Sequence, residues 1–442
     1  MNKKVLIIIG IVLVVIIIIA VILSIVLKKN PDNGTNNTNN NNGQVTLVYW
    51  GLWEPESVMK PIIDQYEATH PGVNIEYTQK SFTQYAENSY TRIVQGTTSN
   101  TPAPDIIKIH NTWLPKYQDY LAPMPSTIMT AQEYKNTFYP TVSEDFTGDD
   151  GKIYAMPIGI DGLTLFYNKK LLKEAGYDTP PTDWDTFTEA AKKLTKKDSD
   201  GNITQAGVAM GTSKNIIHSA DILNLLMLQN GVDVLPEGEY ETNLDSNKAA
   251  ISLDFYVSFY EEHKVWSADS RNELEMFYAG KLAMFFAPSW RAFDIATAAP
   301  QIEFGMAPVP QIANNENVNY AMYWGEAVSK KSSYQEEAWK FIEYLSEPAQ
   351  LKTMYQNSSS IRLFGQPYPR VDMAGDMSTN KYVNPVLQMA PTMDSWKMGD
   401  QSYIEESLKT AINSVSQGSS TSNSALREAK TRIDTKLAEY KE

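Results

Sequence analysis

Between Val45 and Tyr77 the chain changes its hydrophobic period twice. "VTLVYWGLW" alternates Val45, Leu47 and Tyr49 against Thr46, Val48 and Trp50, the period of two that marks a strand. From Ser57 the apolar spacing becomes Val58, Met59, Ile62, Ile63 and Tyr66, a helical stripe that stops at "HPG", His70 to Gly72. "VNIEY" then alternates again. Strand, helix and strand in this order form a βαβ unit, which demands a parallel sheet with a right-handed crossover. A second helical stretch, Tyr85 to Val94, leads to another strand, "PDIIKI". At 442 residues the chain exceeds one ordinary core, so two lobes are expected.

The rhythm alters at "TGDDGKIYAMPIGIDGLTLFYNKKLLKEAG". A turn at Asp150-Gly151 precedes a strand through Pro157, which suits an edge or crossing segment, and a second strand runs from Leu163 to Tyr167. "TDWDTFTEAAKKLT" reads as a helix capped by Thr182, with Trp184, Phe187, Ala191 and Leu194 on one face. "KDSDGNIT" starts like a calcium loop at Asp198, Asp200 and Asn202, but Ala209 stands where a bidentate Glu is required, so a hairpin turn is expected. A helix-rich stretch from Ile222 to His263 follows. "IEFGMAPVPQ" and "AVSKK" then read as short strands, and Ser333 with Glu336 as a capping box for a helix ending at Glu347-Pro348. Tyr403 to Glu442 reads as two helices around "SQGSSTSNS". The expected class is α/β, with mixed short strands and many helices.

Ahead of all this, Val5 to Leu27 contains no charged residue and is long enough, at about 1.5 Å per residue, to cross a bilayer core. It is flanked by Lys3, Lys4, Lys28 and Lys29 and shows no small-residue cleavage site around Ala20 or Ser24. Residues 1–29 are therefore expected to be an uncleaved signal-anchor. The Asn-rich 30–44 offers no apolar face and is expected to be a disordered tether, displaying the folded body at a membrane surface; the flanking lysines leave its orientation open.

The formal net charge of −14 disfavours nucleic acid and anionic surfaces. There is no cysteine, hence no disulfide, thiolate metal site or thiol nucleophile. The four histidines, His70, His110, His218 and His263, include no i,i+4 pair, and no Walker loop or G-x-S-x-G elbow occurs. No cofactor and no metal are expected. Carboxylates such as Glu54, Asp105, Asp161 and Glu326 are plentiful, and a glycosidase needs only two about 5 to 10 Å apart, so a hydrolase stays open.

The nine tryptophans divide by context. Trp184 and Trp339 lie on apolar helical stripes, Trp266 follows an amphipathic helix and Trp50 alternates within a strand, so core packing is expected for all four. Trp53, Trp113, Trp290, Trp324 and Trp396 sit at element ends among Gly, Pro, Asn and Ser, where loops present side chains to ligands. Pyranose C–H faces match the negative face of an indole, and hydroxyls need carboxylate and amide partners, so rings and acids together read as carbohydrate capture. Gly325, directly after Tyr323 and Trp324, is read as keeping the cleft wall thin beside those rings.

In order along the chain, "APDIIKIHNTWLP", "KIYAMPIGIDGLTLFYNKKLLKEAG", "GKLAMFFAPSW", "FGMAPVPQ", "YWGEAVSKKS", "EEAWKFIEYLSEP" and "DSWKMGDQSYIEESLKTAINSVSQG" resemble the extracellular solute-binding proteins of ABC sugar importers, in the maltose-binding-protein-like group. The resemblance runs from about Val45 to the C-terminus and departs from the family in having no lipobox cysteine. It implies a two-lobed periplasmic-binding-protein-like fold of type II, with lobe I at 45–157 and 304–350 and lobe II at 158–303 and 351–442. Crossing segments are expected near Pro157, Ile302 to Met306 and Leu345 to Gln356. It implies no catalysis, an oligosaccharide ligand, ABC permease subunits with a separate ATPase as partners, and a monomeric binding subunit whose body lies on the extracellular face of the cell membrane. Matched positions make Trp290, Trp396 and Asp161 ligand contacts. The ligand set is completed by Trp53 and Glu54 after the first strand, Tyr85, Asn111, Trp113, Tyr323, Trp324 and, more weakly, Arg362. A membrane-anchored glycoside hydrolase and a ligand-sensing ectodomain are the alternative readings.

Overall fold

The computed structural model describes residues 44–98 and 102–441. The expected anchor, and the expected tether up to residue 43, lie outside them; among the described residues no helix is long and apolar enough to cross a membrane. The strands are β1 (Val45–Gly51), β2 (Val73–Gln79), β3 (Ile106–His110), β4 (Leu121–Ala122), β5 (Met156–Pro157), β6 (Leu163–Asn168), β7 (Lys196–Lys197), β8 (Ile203–Val208), β9 (Leu282–Pro288), β10 (Phe304–Ala307), β11 (Asn319–Tyr320), β12 (Trp324–Ser329) and β13 (Met393–Asp394).

The first sheet has the order β2-β1-β3-β12-β4, with β5 on β12. β1 and β2 are parallel in register from Val45 opposite Val73 to Gly51 opposite Gln79, joined by the helix Glu56–Thr69. Val58, Met59, Ile62, Ile63 and Tyr66 of that helix are buried, as the sequence stripe requires. Each such side chain contributes about 1.5–3 kcal/mol as an upper estimate. The second sheet has the order β10-β6-β9-β8-β7, and β11 pairs in parallel with β13. The chain therefore leaves the first sheet after β5, builds the second, and returns as β12, antiparallel to β3.

Two expected boundaries move. Phe304–Ala307 pairs with β6 in the second sheet, not the first, because Phe304 stacks near Phe166 and Gly305 leaves room for the Tyr167 ring, which an added Cβ would meet at 2.2 Å. The helix Pro348–Ser359 belongs with the first lobe: Glu347 ends one helix and begins the next, folding it back so that Asn357 Nδ2 donates to Val58 O at 3.1 Å. The crossings are instead made at Gly162 opposite Ala321, along β11 and β13, and where Ala321 N donates to Asp394 O. The C-terminal helices Gln401–Ser416 and Ser422–Leu437 pack on the second lobe, with Asp434 accepting from Thr242.

The hairpin turn at Asp198 is present between β7 and β8, its carboxylate accepting from Asp200 N and Asn202 N. Trp50, Trp184, Trp266 and Trp339 are all buried. Asp183 caps the helix Trp184–Leu194 in place of Thr182, and Tyr334 stands at the start of Gln335–Ser346 with no side-chain cap in place of Ser333. Gly325 does not thin a cleft wall: an added Cβ would lie 2.7 Å from the Phe146 ring and 3.0 Å from Ala155, so the glycine lets β12 seat against the core of its own lobe. Gly325→Ala should therefore cost about 1–3 kcal/mol of stability through overpacking. A thermal melt indistinguishable from wild type would show that Phe146 yields freely.

Candidate functional site

A cavity of about 340 Å³ opens where the strand ends of the two sheets face each other. The first sheet supplies Trp53 just past β1, Gln79 at the end of β2, Lys108 in β3 and Trp324 at the start of β12. The opposite wall carries Asp161 ahead of β6, Ser289 and Trp290 after β9, and Phe293 on the helix Arg291–Ala298, while Arg362 to Pro367 closes a third side. Loops at the carboxyl ends of β1 and β9 supply three of these groups, the place where open α/β sheets hold ligands.

Three indoles define its chemistry. Trp53 and Trp290 are each 43% exposed, so a ring face of each is available to a ligand. Trp53 stacks on Phe82 at 5.7 Å between centroids, and the Arg291 guanidinium lies 4.2 Å from the Trp290 ring. Trp324 is wedged edge-on among Trp53, Phe82, Tyr85, His110 and Trp113, which fixes its orientation. Asp161 faces them as a hydrogen-bond acceptor, already held by Gly162 N at 2.8 Å, Ser289 Oγ at 2.8 Å and Ser289 N at 3.2 Å. Burial pushes its carboxyl up to about 6 against those hydrogen bonds. In the first wall Lys108 Nζ pairs with Glu326 at 2.6 Å, both side chains buried, and burial raises the Glu326 carboxyl.

Of the expected ligand residues, Trp53, Asp161, Trp290, Tyr323, Trp324 and Arg362 line this cavity. Tyr323 does so with its hydroxyl turned away, donating to Asp145 at 2.7 Å. The others are engaged elsewhere. Tyr85 is fully buried, its hydroxyl donating to Lys108 O at 2.6 Å and accepting from Lys108 N at 2.5 Å, so it braces β3. Buried Asn111 donates to Asp145 and Ser395 and accepts from Tyr323 N, tying the β3 loop to the last crossing segment. Trp113 stacks on Tyr117 and donates to Gln401. Glu54 is buried against Arg362, Gln366 and Ser358.

Trp396 is only 5% exposed and donates to Asn224 at 3.1 Å. "DSW" has the look of an exposed loop, but the helix Ser219–Gln229 is buried on every side and presents Asn224 to the indole. Trp396 borders a second, larger cavity of about 850 Å³ whose walls carry Glu144, Asp145, Asp149, Asp233, Glu237 and Asp394. Its one indole, Trp396, has no open face; the rings that remain partly exposed there are Tyr240 and Tyr440.

The sequence reading missed Gln79, Lys108, Phe293, Phe364 and Gln366. Lys108 had a signal, a lone charge inside an otherwise apolar buried strand. Phe293 stands one helical turn beyond Trp290, while Phe364 and Gln366 had no pattern to mark them.

Residues 51–352 match the family of bacterial extracellular solute-binding proteins. The chain belongs to that family. A binding protein relative in Brucella abortus is 21% identical over 84% of this chain and 87% of its own length. The multiple sugar-binding protein of Streptococcus mutans is 21% identical over 70% of this chain and 72% of its own. A cyclo/maltodextrin-binding protein solved with maltotetraose superimposes with a TM-score of 0.73 at 19% identity, covering 92% of this chain and 99% of that one. The solute-binding protein thus has the two-lobed α/β architecture of its structural relatives.

The buried acids set a pH dependence. Asp145, like Asp161, is pushed up to about 6 by burial, although Ser395, Tyr323, Asn111 and Thr141 all donate to it. With a folded value above the ordinary 3.8, Asp145 contributes stability that is full below about pH 4 and is lost as pH rises through about 6. The melting temperature of the wild type should fall relative to Asp145→Asn between about pH 4 and pH 7. A constant difference across that window contradicts the raised value.

Proposed function

We propose that this chain is the sugar-capturing subunit of an ABC importer, held at the membrane by Val5 to Leu27 with its body outside, and that it binds an oligosaccharide in the 340 Å³ cavity. The observation that carries the reading is the pairing of two half-exposed indoles, Trp53 and Trp290, across one cavity that also holds Asp161 as an acceptor. Apolar sugar faces stack on the rings, and hydroxyls reach Asp161, Gln79 and Gln366. The relatives support it: one is named a multiple sugar-binding protein and another was solved with maltotetraose. Among the described residues Asp161 is the only carboxylate lining the cavity, and glycoside hydrolysis ordinarily needs two, which favours capture over cleavage.

A ligand that touches Trp53 and Trp324 on one lobe and Trp290 and Asp161 on the other gains its full contacts only when the lobes close, and that differential affinity shifts the population. The closed monomer is then the species that the permease receives, with ATP hydrolysed by a separate subunit.

Titration calorimetry of residues 45–442 against maltotetraose and other oligosaccharides tests the reading. Trp290→Ala and Trp324→Ala should each weaken the best ligand about tenfold, since a stacked ring is worth about 0.5–1.5 kcal/mol beyond its buried area. Trp396→Ala should chiefly lower the melting temperature, by a loss of about 3–5 kcal/mol. Unchanged affinity in both cavity variants, or hydrolysis of the sugar, would reject the proposal.

A further inference from the structure

We infer that Glu54 and Arg362 are positioning residues whose buried ion pair holds Trp53 in the strained conformation that presents its indole to the cavity. The inference rests on reading that cavity as the sugar site. Trp53 has φ of 64°, in the left-handed region that a bulky side chain avoids. Such strain persists only where the surroundings over-determine it, and here they do. Leu52 before it and Glu54 after it are both buried, so the single residue between them must make the reversal, and Glu54 N donates to Leu52 O at 2.6 Å across it. One oxygen of Glu54 accepts from Arg362 Nη2 at 2.5 Å and Gln366 Nε2 at 3.0 Å; the other accepts from Ser358 Oγ at 2.9 Å. Its backbone carbonyl accepts from Tyr77 at 2.5 Å.

The anchoring side is itself fixed. Arg362 Nε donates to Phe364 O at 3.1 Å, and the guanidinium lies 5.2 Å from the Phe293 ring, on the wall that carries Trp290. Glu54 does not line the cavity, so its carboxylate affects a bound ligand only through the residues it holds. Removing its charge frees Trp53 to relax to an ordinary backbone conformation and swing its ring off the mouth.

Two readouts test this on the full-length protein in detergent. The first needs no ligand: with 5-fluorotryptophan incorporated, the ¹⁹F resonance of Trp53, assigned by its loss in Trp53→Ala, should shift or broaden in Glu54→Gln and, more mildly, in Ser358→Ala. The resonances of Trp184 and Trp339 should stay in place. The second is affinity for maltotetraose: Glu54→Gln and Trp53→Ala should each lose about tenfold, and the double variant no more than Trp53→Ala alone. A Trp53 resonance unmoved in both variants, or losses that multiply in the double variant, would overturn the inference. A wild type that fails to bind maltotetraose counts against that sugar, and the ligand-free resonance still decides the clamp.

Discussion

β12 is seated between β3 and β4, and its register sets which side chains of the first sheet face the cavity. It is the strand by which the chain re-enters the first sheet after building the second, and it brings Trp324 opposite His110 and Glu326 opposite Lys108. A shift of one residue would exchange the faces of every side chain on it, taking Trp324 away from the cavity and leaving Lys108 without its counter-ion. An unpaired charge at that depth costs about 3–5 kcal/mol, so the Lys108–Glu326 pair penalises a slipped register more than it adds to stability. Gly325, between Trp324 and Glu326, permits the close approach to Phe146 that the seating requires.

From that strand the cavity follows with little further freedom. The segment entering β12 also runs beside the other crossings, through Gly162 opposite Ala321 and through β11 with β13. The buried cluster of Asn111, Asp145, Tyr323 and Ser395 ties the first sheet to the last crossing segment, which explains why so many groups with the look of ligand contacts are consumed in structure. What stays open is the pair of rings projecting from the loops after β1 and β9, with Asp161 between the lobes.

The βαβ unit, the lobes' α/β character and the core tryptophans were legible because each rests on a local period that tertiary packing reinforces. The lining of the candidate cavity was legible in part. Trp53, Trp290 and Trp324 announced themselves as large rings at element ends, and Asp161 through the resemblance. Tyr85, Asn111, Trp113 and Trp396 also stood at element ends, yet Trp113 is half-buried and the other three are buried, because the groups that engage them, Lys108's backbone, Ser395, Gln401 and Asn224, lie elsewhere along the chain. The misplaced boundaries have the same origin. Phe304–Ala307 resembles any short strand, and only the Tyr167 ring waiting over Gly305 decides which sheet takes it.

On the proposed function, ligand occupies the ring-lined cavity and leaves the larger acidic one alone. A crystal structure of the body grown with the tightest-binding oligosaccharide measures this directly. Pyranose density in contact with Trp290 and Trp324, with a hydroxyl within hydrogen-bond distance of Asp161, is expected. Density seated instead beside Trp396, among Glu144, Asp233 and Asp394, with the first cavity empty, would contradict it.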